Sequence, residues 1–156
     1  MFDSKQQLIS EDWNHSSDRD WAEVLRGLPL FSAVPKRRLR KIVRRARFAE
    51  FADGESVVVR GDSAESFYVI LSGAAQAYGK KAARTLGVGD YFGELALLDG
   101  EPRSTSVIAL GELHVMRVPG SVFFELVEEN PAVALTIVRE LGASLRRHER
   151  IAARAA

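Results

Sequence analysis

The sequence predicts an α+β fold in which an antiparallel β sandwich or barrel of jelly-roll type lies between helices at both ends. Across residues 47–118, short runs of alternating or β-branched residues are separated by glycine-containing turns. That texture is typical of many short antiparallel strands. On either side of this region, apolar residues recur every three or four positions, which indicates amphipathic helices.

The composition is that of an ordinary globular protein, and it excludes several functional classes. A chain of 156 residues is long enough for one domain with a buried core, which we expect over residues 18–156. There are no cysteines, so disulfides, thiolate metal sites and cysteine nucleophiles are excluded. No apolar run approaches the ~20 residues that span a bilayer, and the N-terminus lacks a signal-peptide core. We therefore expect a cytoplasmic protein without a membrane partner.

Ahead of the strand region, the sequence predicts a flexible leader, residues 1–17, and then two helices within residues 18–46. Asp18 or Asp20 is the expected N-cap of the first helix, because either carboxylate could accept hydrogen bonds from its first amides. Gly27 is expected to end that helix. A compact apolar turn follows it, and the second helix is rich in lysine and arginine.

The second helix offers a rival function, because cations make up most of residues 36–47. Such a helix could bind nucleic acid or another anionic partner. Its apolar residues, however, recur at helical spacing and supply a core face, so the cations are expected on the solvated side. No aromatic residue is interleaved to stack on bases, and the net charge of the chain is only +1. The pattern favours a solvated face and disfavours nucleic acid as a partner.

Strand and helix boundaries follow from the glycines and prolines. The predicted strands are residues 47–51, 56–59, 66–71, 74–78, 84–86, 104–110 and 112–118. Residues 119–150 are predicted to form two helices that meet at Asn130-Pro131, because the residue before a proline is disfavoured in a helix. The apolar spacing of the last helix is compatible with a homodimer through that helix, although the run is too short to prove a coiled coil.

One stretch, residues 92–107 with the sequence FGELALLDGEPRSTSV, carries a binding chemistry. Gly93 lets the chain turn tightly into a short helical turn, whose first amides lack partners and attract an anion. The guanidinium of Arg103 can clamp a phosphate by two parallel hydrogen bonds. The carboxylate of Glu94 can accept hydrogen bonds from hydroxyls such as those of a sugar. These residue types together describe a nucleotide site.

This stretch closely resembles the phosphate-binding cassette of cyclic-nucleotide-binding domains, the family of bacterial catabolite-activator regulators, cyclic-nucleotide-dependent kinases and gated channels. The family pattern Phe-Gly-Glu-Leu-Ala-Leu is met by residues 92–97, and its Pro-Arg pair with small residues behind it by residues 102–105. Glycine landmarks extend the resemblance over roughly residues 28–145. It implies a β-roll, a double-stranded β-helix, with helices on both sides. It also implies a sensor or regulatory domain for cAMP or cGMP.

The resemblance also implies a set of site residues. Glu94 is expected to accept the ribose 2′-hydroxyl, and Arg103 to pair with the cyclic phosphate. The other expected phosphate or ribose contacts are Gly93, Leu95, Ala96, Ser104 and Thr105. The base is expected between the β-roll and the last helix. Its expected contacts are Ala77, Leu86, Ile137 and Leu141. Glu65 is expected to orient Arg103 without itself contacting the ligand.

Several of these assignments leave an alternative open. The four base contacts could be plain core, Glu65 could be an exposed turn carboxylate, and Thr105 could be small only for space. Ser104 does not choose the ligand, because a hydroxyl directly after the arginine occurs in members that prefer either base. We take cAMP as a mild favourite over cGMP.

No cofactor, catalytic site or metal site is expected. His15, His114 and His148 lie in different predicted elements without ligand spacing. Residues 73–80 resemble a P-loop only superficially, because the two glycines are one residue too far apart. Besides ligand binding, two functions stay open: a binding-silent interaction module, and an anionic partner on the basic helix. A sensor would act through helix movement on an effector protein or output domain, which the sequence does not identify.

Overall fold

The computed structural model describes residues 20–80 and 82–155, so the predicted leader lies outside the described residues. Helix α1 (Trp21–Arg26), a 3₁₀ turn (Pro29–Phe31) and helix α2 (Lys36–Arg45) come first. The strands are β1 (Arg47–Phe51), β2 (Ser56–Val58), β3 (Ser66–Tyr78), β4 (Ala83–Leu86), β5 (Tyr91–Phe92) and β6 (Ser106–Pro119). The remaining helices are α3 (Glu94–Asp99), between β5 and β6, then α4 (Gly120–Glu129) and α5 (Pro131–Ala155).

The sheet is antiparallel, with the order β1-β6-β3-β4, and it carries β2 on β6 and β5 on β3. Its spine is the long pair β3 and β6, whose register runs from Ser66 opposite Pro119 to Tyr78 opposite Ser106. The predicted fold class, an antiparallel β-roll with helices at both ends, is confirmed. The sheet is not closed into a barrel. Among the described helices, none has both the length and the apolarity that crossing a bilayer requires.

Two of the predicted strand breaks are wrong. Strand β3 runs on through Ser72-Gly73, and β6 runs on through Gly111. At Ser72 the register of β3 against β6 shifts, so these residues form a bulge that bends the strand without ending it. Gly73 has φ +87°, and a Cβ there would lie 2.2 Å from the carbonyl oxygen of Glu112. Glycine at this bulge therefore lets the two backbones approach closely.

Two hydrophobic clusters divide the core. The outer cluster lies between the helices and the sheet, and its largest members include Trp21, Phe31, Leu39, Phe67 and Phe123. The inner cluster is built from strand residues alone and includes Ile70, Leu86, Val107, Leu113 and Val115. Successive residues of β3 alternate between them, with Phe67 in the outer cluster and Tyr68 in the inner one. The first half of β3 is therefore buried on both faces.

The basic helix α2 uses some of its cations to attach to its neighbours. Lys36 bridges Asp20 and Glu23 of α1 at 2.8 and 3.0 Å, and Arg38 pairs with Glu129 at 3.0 Å. Arg45 pairs with a carboxylate of α4. The four other cations of this helix are exposed, without a carboxylate partner within the described ranges: Arg37, Arg40, Lys41 and Arg44.

We expect Gly73→Ala to lower the free energy of unfolding by about 3 kcal/mol or more, because strain at positive φ adds to overlap with the Glu112 carbonyl. Gly54→Ala is a matched control, since Gly54 has φ +81° but no atom within 4 Å of the added Cβ. It is expected to cost only the conformational part, roughly 1–2 kcal/mol. Urea unfolding measures both variants. Equal losses would contradict a steric contact at the bulge.

Candidate functional site

Arg103 lies buried in the cassette (residues 92–107), with only 7% of its surface exposed. Its Nη2 donates a hydrogen bond to the carbonyl oxygen of Ser66 at 3.0 Å, and its Cζ lies 5.7 Å from the centre of the Tyr68 ring. No carboxylate of the described residues is within ion-pairing distance of it. Burial lowers the pKa of Arg103, but an arginine stays charged at neutral pH. Within the described residues the site therefore holds a positive charge that forms no ion pair, although the more distant carboxylates of Asp62 and Glu65 act on it.

The backbone of Arg103 is fixed on both sides by the loop that precedes β3. Its N–H donates to the carbonyl of Asp62 at 2.8 Å, and its own carbonyl accepts from the N–H of Gly61 at 2.9 Å. These bonds tie the second half of the cassette to the edge of the β-roll. The position of the guanidinium is thus set by two separate segments of chain.

Gly93 provides the space in which the guanidinium lies. Its φ is +93°, and a Cβ at this position would lie 2.9 Å from Nη1 of Arg103 and 3.1 Å from the carbonyl oxygen of Ser66. Any side chain here would strain the backbone and displace the arginine. The glycine of the motif therefore serves both the tight turn predicted from sequence and the close approach of Arg103, which the sequence does not reveal.

Glu94 is the first residue of α3 and is half-buried. Burial raises the pKa of its carboxyl, and the carboxylate of Glu140 on α5 adds to the increase. The positive charges of Arg84 and Arg103 oppose it. Charged groups from β4, the cassette and α5 thus all act on the carboxyl of Glu94. Arg84 and Glu140 had no signal in the sequence, because they come from distant elements outside the motif.

Tyr91 connects the last helix to the cassette from another side. Its hydroxyl is buried and makes no hydrogen bond of normal geometry with the residues that the structure describes. The pKa of this phenol is raised, first by burial and then by the nearby carboxylate of Glu140. The carboxylate of Glu140 thus approaches the phenol without a formed hydrogen bond, and it brings α5 close to β5, the strand that leads into the cassette.

The other predicted cassette and support residues are placed as follows. Ala96 is buried in α3, while Leu95 is 44% exposed. Ser104 is exposed, and the methyl group of Thr105 lies against Gly79. The carboxylate of Glu65 is 65% exposed and lies 4.0 Å from Nη2 of Arg117, so Arg117 is its ion-pair neighbour. That Glu65 orients Arg103 stays a prediction.

The four predicted base contacts belong to two different clusters. Leu86 is buried in the inner cluster, and Ala77 is partly buried against it. Ile137, 3% exposed, belongs to the outer cluster, and Leu141 packs against that cluster. In the described structure, the pair Ala77 and Leu86 and the pair Ile137 and Leu141 are assigned to separate clusters. Their role at the base stays a prediction.

One group of residues within the described ranges has metal-ligand geometry: Glu50, Glu112 and His114, whose ligand atoms lie within 4.8 Å of one another. Both carboxylates are exposed, and Nε2 of His114 is hydrogen-bonded to Oε1 of Glu112 at 2.8 Å. This hydrogen bond joins two of the three side chains, Glu112 and His114. The group belongs to β1 and β6 and not to the cassette, and His15 lies outside the described residues.

Comparison with known proteins adds a family to this geometry. The profile described as "Cyclic nucleotide-binding domain" matches residues 48–130. A cAMP-dependent protein kinase regulatory subunit of Colletotrichum orbiculare is 33% identical over 114 residues, which are 71% of this chain and 29% of that protein. A cGMP-dependent protein kinase of Plasmodium berghei is 29% identical over 107 residues, 67% of this chain and 12% of that protein. The chain thus spans less than a third of these relatives.

Among solved structures, the regulatory domain of Toxoplasma gondii PKA, crystallised with cAMP, has a similar fold. The TM-score is 0.72 at 25% sequence identity, over 81% of this chain and 51% of that one. The residues that match the family profile include the six described strands except Arg47 of β1, together with the cassette and α4. The chain belongs to the cyclic nucleotide-binding domain family.

Proposed function

We propose that this protein is a sensor or regulatory domain, extending over residues 18–156, that binds a cyclic nucleotide through its cassette. The single observation that carries the proposal is the guanidinium of Arg103, buried without a carboxylate partner in the described structure. Burying an uncompensated charge is unfavourable. A bound anion removes that cost, and the two free oxygens of a cyclic phosphate match the paired N–H donors of a guanidinium.

Glu94 supplies the second contact. Its half-buried carboxylate follows directly after Gly93, over which the arginine lies. A carboxylate accepts hydrogen bonds from a hydroxyl, and the ribose 2′-hydroxyl is such a group close to a 3′,5′-cyclic phosphate. Backbone amides at Gly93, Leu95 and Ala96, with Ser104, complete the contacts that the family resemblance implies. The site serves recognition and needs no catalytic group.

For the base, we propose cAMP as the first ligand and cGMP as the alternative. The relatives named above include proteins dependent on each, and the solved regulatory domain was crystallised with cAMP. The base would lie against Ala77 and Leu86 of the β-roll. Residues Ile137 and Leu141 of α5 would contribute only after that helix moves towards the inner cluster.

Ligand binding is proposed to act through the flanking helices. Leu97 of α3 lies against Gly120, where a Cβ would be 3.1 Å from its Cδ2, so the cassette touches the start of α4. On the other side, Glu140 of α5 approaches Glu94 and Tyr91. A ligand shifts the helices only as far as its affinities for the two arrangements differ. The readout would be an effector protein or output domain, or a second copy through the exposed apolar residues of α5.

A second candidate function rests on a different observation, the four exposed cations of α2. Arg37, Arg40, Lys41 and Arg44 recur at helical spacing and lack carboxylate partners in the described parts of the chain. This surface would suit an anionic partner, whose binding would weaken steeply with salt. A binding-silent module is the weaker alternative, because both Glu94 and Arg103 are present.

Arg103→Ala is expected to weaken binding of a cyclic nucleotide by at least about 30-fold, because it removes a charge-assisted pair that water does not screen. Isothermal titration calorimetry with cAMP and with cGMP measures the change and compares the two bases. Arg117→Ala is the matched control, because Arg117 donates to the Ser66 hydroxyl beside the site. It should change the affinity by only a few-fold. Wild-type protein that gives neither heat nor a thermal shift with either ligand would overturn the proposal.

Glu94→Gln is expected to stabilise the unliganded protein at neutral pH while weakening ligand binding. Burial raises the pKa of Glu94 in the folded state, so ionisation of this group opposes folding. That cost is present above the folded pKa and disappears below the unfolded value of about 4.3. The gain in Tm of the variant should therefore shrink as the pH falls.

Thermal unfolding over a series of pH values measures this difference. Glu101→Gln provides the control, because Glu101 is an exposed glutamate of the same segment, and its Tm should follow the wild type. A gain in Tm for Glu94→Gln that stays constant with pH, or no gain at neutral pH, would contradict a buried ionised carboxylate.

A further inference from the structure

We propose that Tyr68 is a positioning residue for Arg103: its aromatic ring, in place of a carboxylate, holds the guanidinium at the ligand site. The effect on affinity rests on the function proposed above, whereas the contact itself exists without ligand. Neither the motif nor the sequence expectations assign Tyr68 a role. The expected support for Arg103 is Glu65, whose carboxylate lies 4.0 Å from Arg117 and acts on Arg103 without forming an ion pair with it.

The guanidinium is surrounded by an aromatic ring and a backbone carbonyl. Its Cζ lies 5.7 Å from the centre of the Tyr68 ring, within the ~6 Å over which an aromatic face attracts a cation. Its Nη2 also donates a hydrogen bond to the carbonyl oxygen of Ser66 at 3.0 Å. Both supports are electrically neutral. The side chain is thus held in place without an ion pair to a described carboxylate, and Asp62 and Glu65 act on it only from a greater distance.

The Tyr68 ring is itself fixed in place. Tyr68 on β3 lies directly opposite Phe92 on β5, and their rings stack with centroids 5.0 Å apart and planes within 4° of each other. Both residues are buried, at 4% and 7% exposure. A ring stacked in this way offers the arginine a rigid surface, since strand register and packing hold both rings.

The Tyr68 ring and the Arg103 guanidinium share the space above Gly93. A Cβ on Gly93 would lie 2.9 Å from Nη1 of Arg103 and 3.5 Å from Cδ2 of Tyr68. The ring edge and the guanidinium therefore meet over the same glycine, beside the first residue of α3. Together, Gly93 and the ring of Tyr68 limit where the guanidinium can lie.

The chemical consequence concerns competition. A supporting carboxylate would accept the same N–H donors that a phosphate needs, and it would cancel the charge that attracts the phosphate. An aromatic face stabilises the cation through the ring quadrupole and occupies no conventional hydrogen-bond donor. Support by Tyr68 therefore keeps the arginine both ordered and available to an anion. If Tyr68 served only to fill the core, replacing its ring by an aliphatic side chain would not change the position of the guanidinium.

The contact is tested first without ligand, by NMR of the arginine side chains in the full chain. The Hε–Nε resonance of Arg103 is assigned by its loss in Arg103→Lys. Because the ring field and the dry environment shift it, this resonance should lie apart from those of exposed arginines in wild type and in Tyr68→Phe. It should join the exposed arginines in Tyr68→Leu. A resonance that keeps its wild-type position in Tyr68→Leu would overturn the proposal.

Affinity for cAMP and cGMP, measured by calorimetry, provides the second test. Tyr68→Phe keeps the ring and should change Kd by less than about twofold, whereas Tyr68→Leu should raise it about tenfold. Phe67→Leu is the matched control, because Phe67 neighbours Tyr68 but packs in the outer cluster. It should lower Tm to a similar extent and leave Kd unchanged. Equal losses of affinity in Phe67→Leu and Tyr68→Leu would refute positioning.

The outcomes separate the two proposals. If the Arg103 resonance behaves as predicted but wild-type protein binds neither ligand, only the proposal of cyclic-nucleotide binding is refuted. Wild-type binding with an unmoved Arg103 resonance would refute the role of Tyr68 alone. Tyr68→Met, which fills more of the ring volume, repeats both measurements if Tyr68→Leu does not fold.

Discussion

The described structure depends on keeping one positive charge buried without a protein counterion. Such a charge is expensive unless its environment solvates it. Charged side chains act on Arg103 only from beyond ion-pairing distance, and the groups close to it are the Ser66 carbonyl, the Tyr68 ring and the open space at Gly93. Each of these is neutral. These groups stabilise the cation, but none of them forms an ion pair with it. An anion-binding site without its anion is expected to have this arrangement.

Strand β3 supplies much of this environment and also connects it to the helices. Alternation along the strand sends Tyr68 into the inner cluster beside the cassette and Phe67 into the outer cluster. There Phe67 stacks on Phe123 of α4, with ring centroids 4.9 Å apart. The cassette itself touches the same helix at Gly120. Both β3 and the cassette therefore pack against α4.

The fold class and the cassette could be predicted because their signals are local in sequence. Periodicity distinguished helices from strands, and the contiguous motif brought Gly93, Glu94 and Arg103 to one site. Other features depend on which segments meet in space. Gly73 looks like a turn, yet the approach of the β6 backbone at Glu112 makes it a bulge in a continuous strand.

The same limit applies to the site. The contact of Tyr68 with the arginine follows from the register of β3 with β5, a strand too short to show a pattern. Arg84 and Glu140 reach Glu94 from β4 and α5, which lie far apart in the chain. The predicted base contacts fall into separate clusters because packing, not spacing, decides the partners of an apolar residue.

A structure of the protein with a cyclic nucleotide bound tests the central claim most directly. The account predicts that both free oxygens of the cyclic phosphate accept hydrogen bonds from the guanidinium of Arg103, while the Tyr68 ring keeps its place beside it. A phosphate bound elsewhere on the protein would contradict the account. So would an Arg103 that turns to pair with a protein carboxylate in the complex.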